Sequence, residues 1–147
     1  AAKTFQGLPH RLEFIASINH VDFYNDSKST NAVSTKTAVN SLLEKYSQLV
    51  LILGGIAKQE NYSELIELIN EKVKTVVLIG ESSKVFSEQL SVPTLLIARS
   101  MEEAVGLSKS LARGGAIVLS PACASFDMFV DFNDRGDQFK HHVIEGS

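Results

Sequence analysis

Four short, uninterrupted apolar runs constrain this chain more than any other feature. They lie in "QLVLILGG" at 48–55, "TVVLIGE" at 75–81, "TLLIA" at 94–98 and "GAIVLS" at 115–120. A strand with one wet face alternates apolar and polar residues, whereas an unbroken Val/Ile/Leu run belongs to a strand buried on both faces. Between the runs the apolar spacing becomes helical. "NYSELIELINEKV" places Leu65, Ile66, Leu68 and Ile69 on one broad face, and "SSKVFSEQL" reads as a short helix opened by a serine. "SMEEAVGLSKSLA" opens with the Ser100 and Glu103 spacing of a capping box. Strands alternating with helices predict an α/β fold, a doubly wound and mostly parallel sheet covered by helices on both sides.

Two further elements precede this rhythm. "RLEFIASI" and "VDFYND", joined at Asn19-His20, predict an N-terminal β-hairpin, with Val21 and Phe23 alternating against Asp22 and Tyr24. From Asn31 to Leu43, Val33, Thr37 or Ala38, and Leu42 recur at helical intervals, with Thr30 or Asn31 as N-cap. The segment from Asp127 onward predicts a last helix. Neither a repeat nor a linker interrupts the pattern, so residues 1–147 are expected to form one domain.

Bulk properties narrow the partners. At 44% apolar and 21% charged residues, the chain is expected to fold around a real core. A net charge of −3 without a basic block argues against nucleic acid. No apolar run approaches the roughly 18–20 residues of a membrane helix, and "AAKTFQGLPHR" lacks a signal-peptide core, so neither membrane nor export is expected. One cysteine without a zinc-ligand spacing points to a reducing, cytoplasmic setting. His141 and His142, adjacent on a helix, project about 100° apart and make a poor metal pair.

In open parallel sheets, ligands bind beyond the carboxyl ends of the strands. Three polar clusters fall there: "NDSKSTN" after "VDFY", "GGIAK" after "LVLIL", and "SPACAS" after "AIVL". Together they supply lysines, hydroxyls, an aspartate and helix starts, which suits a carboxylate or phosphate ligand. Each also has a plain structural reading. Asn25, Asp26, Ser27 and Thr30 serve equally as turn and cap residues, the glycine pair as a tight turn, and the small residues of 120–125 as packing relief. Neither a complete dinucleotide fingerprint nor a GxxxxGK[ST] phosphate loop occurs in the chain.

"FQGLPHR" (Phe5–Arg11), "NDSKSTN" (Asn25–Asn31), "LILGGIAK" (Leu51–Lys58), "MEEAV" (Met101–Val105) and "LSPACASFDMFVDFNDRGDQF" (Leu119–Phe139) occur in one order and spacing. In this they closely resemble the C-terminal domain of the Mur ligase family, in its D-glutamate-adding branch. The resemblance implies a Rossmann-like fold and a three-domain ATP-dependent ligase. There the first domain holds a UDP-sugar, UDP-N-acetylmuramoyl-L-alanine. The central domain carries the phosphate loop and Mg²⁺ ligands, and the third closes over both. It implies bacterial peptidoglycan synthesis, in which a carboxylate is phosphorylated and the amine of D-glutamate attacks the acyl phosphate. This chain alone, without the other two domains in cis, is then expected to be inactive and to hold no metal of its own.

By the same resemblance, Arg11 reaches the ATP phosphates and Asp26 the nucleotide ribose. Lys28 and Thr30 lie on the D-glutamate and phosphate side, and Lys28 and Arg11 have catalytic roles. Lys58 pairs with one D-glutamate carboxylate, while Ser125, Phe126 and Phe132 form the wall that holds the other. His10 and Asn31 remain open between ligand and scaffold, and Cys123 keeps a structural role. Ser29 stands where alanine is common, and "GGIAKQEN" lacks a glycine and an aspartate often found after the lysine. Three rivals stay open: another amide-forming ligase such as a folylpolyglutamate-building one, a stand-alone anion-binding regulatory module, and a nucleotide-dependent oxidoreductase domain. The long final motif argues against the first, and the missing glycine fingerprint against the last.

Overall fold

The computed structural model describes residues 8–145, so Phe5–Gly7 of the first motif and the final Gly146 and Ser147 lie outside the described residues. The chain runs β1 (Glu13–Ile18), β2 (Val21–Asn25), α1 (Ala32–Leu43), β3 (Leu49–Gly54), α2 (Ser63–Lys72), β4 (Thr75–Ile79), α3 (Ser83–Gln89), β5 (Thr94–Ile97), α4 (Met101–Leu111), β6 (Ala116–Leu119) and α5 (Phe132–Glu145). The six strands form one sheet in the order β1-β2-β6-β3-β4-β5. Strands β2 to β6 are parallel to their neighbours, and β1 is antiparallel to β2. Asn19 and His20 both take left-handed conformations, with φ 53° and 68°, as a two-residue hairpin turn requires.

Successive residues of a strand point to opposite faces, so the unbroken apolar run of β3 feeds two cores at once. Leu51 and Leu53 enter one core with Val39 and Leu42 of α1, Leu65 and Ile69 of α2 and Phe86 of α3. Val50 and Ile52 enter the other, with Met101, Ala104 and Val105 of α4 and Phe139 and Val143 of α5. Each fully buried aliphatic side chain contributes about 1.5–3 kcal/mol, so both helical layers are anchored independently of any ligand. No described helix is long and apolar enough to cross a membrane.

Local details depart from the periodicity reading in instructive ways. Tyr24 is buried rather than outward-facing, because β2 lies between β1 and β6 and is covered on both sides. Its hydroxyl meets that of Tyr46 at 2.8 Å, and Tyr46 donates to Asp22 Oδ2 at 2.5 Å. The buried face of α1 is Ala32, Thr35, Ala38, Val39 and Leu42, while Val33 remains 73% exposed. The polar Thr35 displaces the apolar stripe because its hydroxyl donates to the Ser120 carbonyl and lies 3.0 Å from Ser120 Oγ. Asn31 is the cap of α1, accepting from Ser34 N at 2.9 Å. Ser82, ahead of α3, makes no side-chain cap and instead accepts from Gly55 N. Ser100 caps α4 through Glu103 N, whereas Glu103 reaches back to Arg99 N, one residue before the position a capping box uses.

Candidate functional site

Because β2, β6 and β3 are parallel neighbours, their carboxyl ends share one edge of the sheet. The loops beyond those ends are laced together. Gly54 N donates to the Pro121 carbonyl at 3.0 Å, and Ala122 N to the Ser29 carbonyl at 2.9 Å. Ile56 and Ala124 exchange both backbone bonds, at 2.9 and 3.1 Å. Only glycine permits that approach: Gly55 has φ 141°, and a Cβ on it would lie 2.3 Å from the Ala124 carbonyl oxygen. The glycine pair therefore does more than turn the chain, since it joins the loop of Lys58 to the loop of Ser125.

Backbone strain concentrates on the same edge. His10, Leu12 and Ala122 adopt left-handed φ values of 64°, 45° and 65°, a region that side chains with a Cβ rarely occupy. Each is held by its surroundings, as a persistent strained residue must be. Lys28 N donates to the His10 carbonyl at 2.8 Å, Leu12 N to Asp26 Oδ1 at 2.8 Å, and Ala122 N to Ser29. The second oxygen of Asp26 accepts from Ser29 Oγ at 2.5 Å and Ser120 Oγ at 2.7 Å. Burial raises the pKa of Asp26; the bonds from Ser29, Ser120 and Leu12 and the charge of Arg11 offset that only in part.

A groove of about 520 Å³ opens between the 11–12 segment and α1, lined among others by Arg11, Asp26, Lys28, Ser29, Asn31 and Val33. Arg11 and Lys28 are exposed on it. Lys28 Nζ stands 5.2 Å above the ring centre of Phe132, the first residue of α5, a cation–π contact. Thr30 is half-buried beside the α1 cap. Lys58 is exposed, its backbone N–H bonded to the Tyr62 hydroxyl. Two residues on, Glu60 Oε1 accepts from Ala32 N at 2.8 Å and so ties the Lys58 loop to the start of α1. Ser125 is buried on the β6 loop, while Phe126 is 69% exposed. Lys28, Lys58 and Ser125, far apart in sequence, thus sit in three interlocked loops on one edge, with exposed Phe126 next to Ser125.

Cys123, expected to be structural, and His10, left open by sequence, both have their surroundings defined. Cys123 is buried, and burial pushes its thiol up to about 11, so it is not poised as a nucleophile. His10 is buried with Nδ1 2.9 Å from Asn25 Nδ2. Asn25 Oδ1 accepts from Ser27 N, which turns the amide NH₂ toward the imidazole. His10 Nδ1 is therefore the acceptor and Nε2 carries the proton, 3.6 Å from Asp137 Oδ1. Glu13 closes this network by accepting from His10 N at 3.0 Å, from Asn25 Nδ2 at 3.2 Å and from Lys140 at 3.4 Å. Burial alone would raise the Glu13 pKa, but these donors and the Lys140 charge hold it below the ordinary glutamate value.

Sequence reasoning passed over the residue that joins these parts. Arg135 is wholly buried, with Nε donating to Ser27 Oγ at 2.9 Å, Nη1 to the Cys123 carbonyl at 2.9 Å and Nη2 to the Ser27 carbonyl at 2.7 Å. Burial brings its pKa down to about 10, which leaves it charged at neutral pH. Hydrogen bonds from a charged donor are worth about 1.5–3 kcal/mol each, set against a desolvation cost of several kcal/mol for a buried ion. A signal was present in the sequence: Arg135 falls in register with Phe139 and Val143 on the buried face of α5. Next to it, Gly136 lets the helix rest on His10 and Asn25, where a Cβ would stand 2.1 Å from His10 Nδ1.

The family model described as "Mur ligase, glutamate ligase domain" matches residues 10–123. Among curated relatives, the UDP-N-acetylmuramoylalanine–D-glutamate ligase of Cytophaga hutchinsonii is 47% identical over 146 residues, covering 97% of this chain and 32% of that protein. The same-named ligase of Marinobacter nauticus is 43% identical over 148 residues, covering 99% of this chain and 33% of that protein. The crystal structure of MurF ligase from Thermotoga maritima in complex with ADP superposes with a TM-score of 0.62 at 16% identity, covering 98% of this chain and 33% of that one. At such low identity this likeness concerns the fold. The chain spans about a third of the length of the curated relatives it matches.

Proposed function

Because the chain belongs to the Mur ligase family, as its glutamate ligase domain, we propose that it works as the C-terminal domain of an ATP-dependent ligase. That enzyme joins D-glutamate to UDP-N-acetylmuramoyl-L-alanine in bacterial peptidoglycan synthesis. The observation that carries the reading is the gathering of Lys28, Lys58 and Ser125 on three interlocked loops beyond β2, β3 and β6. The name shared by its relatives supplies the substrate. The relatives' other two thirds are where we assign the UDP-sugar site and the phosphate loop, in a cytoplasmic enzyme.

The chemistry rests on charge and reach. D-Glutamate brings two carboxylates, and a dicarboxylate is held where cations and hydroxyl donors converge. Lys58 engages one carboxylate; Thr30 and Ser125 donate to the other, beside Phe132 and the exposed Phe126. That leaves the amine free to attack an acyl carbon. The groove between the 11–12 segment and α1 sets the cations Arg11 and Lys28 beside apolar Leu12 and Val33, a mixture that suits the phosphates and base of a nucleotide. Arg11 and Lys28 would meet its phosphates. Asp26 lines the same groove toward the ribose, although its oxygens already accept three protein donors. When bound, ATP supplies the phosphoryl group that turns the sugar-linked carboxylate into an acyl phosphate. As the amine attacks and phosphate departs, Lys28 offsets the negative charge that develops. The Mg²⁺ ligands, like the phosphate loop, are assigned to the relatives' other two thirds.

The test is D-glutamate-dependent phosphate release by the full-length ligase. Lys58→Ala removes a charge-assisted contact worth about 1.5–3 kcal/mol, so its KM for D-glutamate should rise roughly 10–150-fold. An unchanged KM would sink the assignment of Lys58. The 147-residue chain on its own should release no phosphate above background, and turnover by it would contradict the division of labour proposed here.

A further inference from the structure

Three loops bear the proposed ligand groups, and their spacing must be held from beneath for one ligand to meet all of them. Arg135 is the group in position to hold two of them, the Lys28 and Ser125 loops. Its guanidinium contacts Ser27, the residue before Lys28, through both carbonyl and hydroxyl, and it contacts the carbonyl of Cys123, two residues before Ser125. The Ser27 hydroxyl passes the connection on, donating to the Phe132 carbonyl at 2.7 Å. One planar fork therefore links the Lys28 loop, the Ser125 loop and the N-terminus of α5. Among the described residues no carboxylate lies within 4.0 Å of it. A buried cation is ordinarily paired; here the Asp127 carboxylate acts on it only from beyond contact distance, and its N–H donors are taken up by the oxygens of the two loops.

We propose that Arg135 is a positioning residue for the dicarboxylate site, setting the distance between Lys28 and Ser125 and adding a fixed positive charge beneath them. The inference rests on the function proposed above. Arg135 does not reach ligand itself, since it is 0% exposed; it acts through Ser27 and Cys123. Lysine cannot replace it, because an ammonium is a point charge without the flat fork that meets acceptors on two loops at once. Retained charge with lost geometry is therefore a separable state.

The experiment compares Arg135→Lys, Arg135→Met and Ser27→Ala with wild type in the full-length ligase, measuring kcat and the KM values for D-glutamate and ATP separately. A misplacement of about 1 Å costs roughly 10²-fold, so Arg135→Lys should lose about that factor in kcat/KM for D-glutamate, expressed mainly in KM. The KM for ATP should rise by a smaller factor, because Lys28 shifts while Arg11 keeps its place at the phosphates. Ser27→Ala keeps two of the three bonds and should show a smaller loss in the same direction; it carries the test if the arginine variants fail to fold. In parallel, backbone amide resonances of 27–30 and 123–126 should shift together in Arg135→Lys, which a role confined to packing α5 would not produce. A wild-type D-glutamate KM in folded variants, or shifts confined to α5, would overturn the proposal while leaving the functional reading intact. Wild-type enzyme without D-glutamate-dependent turnover would overturn both.

Discussion

Gly136→Ala is expected to destabilise this protein even though it sits in the interior of α5, where alanine is the better helix former. The intrinsic gain is about 1 kcal/mol. Against it stands a Cβ placed 2.1 Å from His10 Nδ1, 2.7 Å from His10 Cε1 and 2.9 Å from Asn25 Nδ2. Carbon contacts sit comfortably at about 3.5–4.0 Å, so the imidazole must retreat by more than an ångström. It has little room, being buried on a left-handed backbone position whose carbonyl holds Lys28 N. Overpacking costs about 1–3 kcal/mol, and losing the buried His10–Asn25 bond about 1–3 more. The net expectation is a loss of about 1–5 kcal/mol, or roughly 2–20 °C in Tm for a chain of this size. Gly106→Ala is the control: it is also helical, with nothing within 4 Å of the added carbon, and should gain about 0.5–1 kcal/mol. Urea unfolding followed by circular dichroism, read only where m values agree, measures both. If Gly136→Ala matches or exceeds wild type while Gly106→Ala behaves as expected, the helix does not rest on His10 as described.

Asn31→Ala removes the cap bond to Ser34 N and should cost about 1 kcal/mol; an unchanged urea midpoint would deny Asn31 that role. Glu13→Gln weakens a cluster of donors aimed at an ionised acceptor and should cost roughly 1–3 kcal/mol at pH 7. The folded pKa of Glu13 is depressed, so the stability it contributes is complete above the unfolded value and is lost as pH falls through the folded one. The gap between wild type and variant should therefore narrow below the ordinary glutamate range. A gap that stays constant down to about pH 3, well under the ordinary glutamate value, would assign the effect to packing.

The layered α/β architecture was legible in residue order alone, because strands buried on both faces need unbroken apolar runs and helices need a three-to-four spacing. The placing of Lys28, Lys58 and Ser125 beyond strand ends was equally legible, since a parallel sheet delivers all its carboxyl ends to one edge. Sequence could not say that β2, β6 and β3 are neighbours, which makes those ends adjacent as well as level. Nor did periodicity anticipate that Thr35 faces inward and Val33 outward on α1, because a hydroxyl pair with Ser120 decides the matter across 85 positions. Arg135 was hidden for the same reason. Charge in a sequence reads as solvent exposure, and only the meeting of Ser27, Cys123 and α5 in space supplies the acceptors that make its burial tolerable. Local spacing sets which face of an element is apolar; which polar groups find partners is settled by contacts between distant segments, and those exist only once the chain has folded.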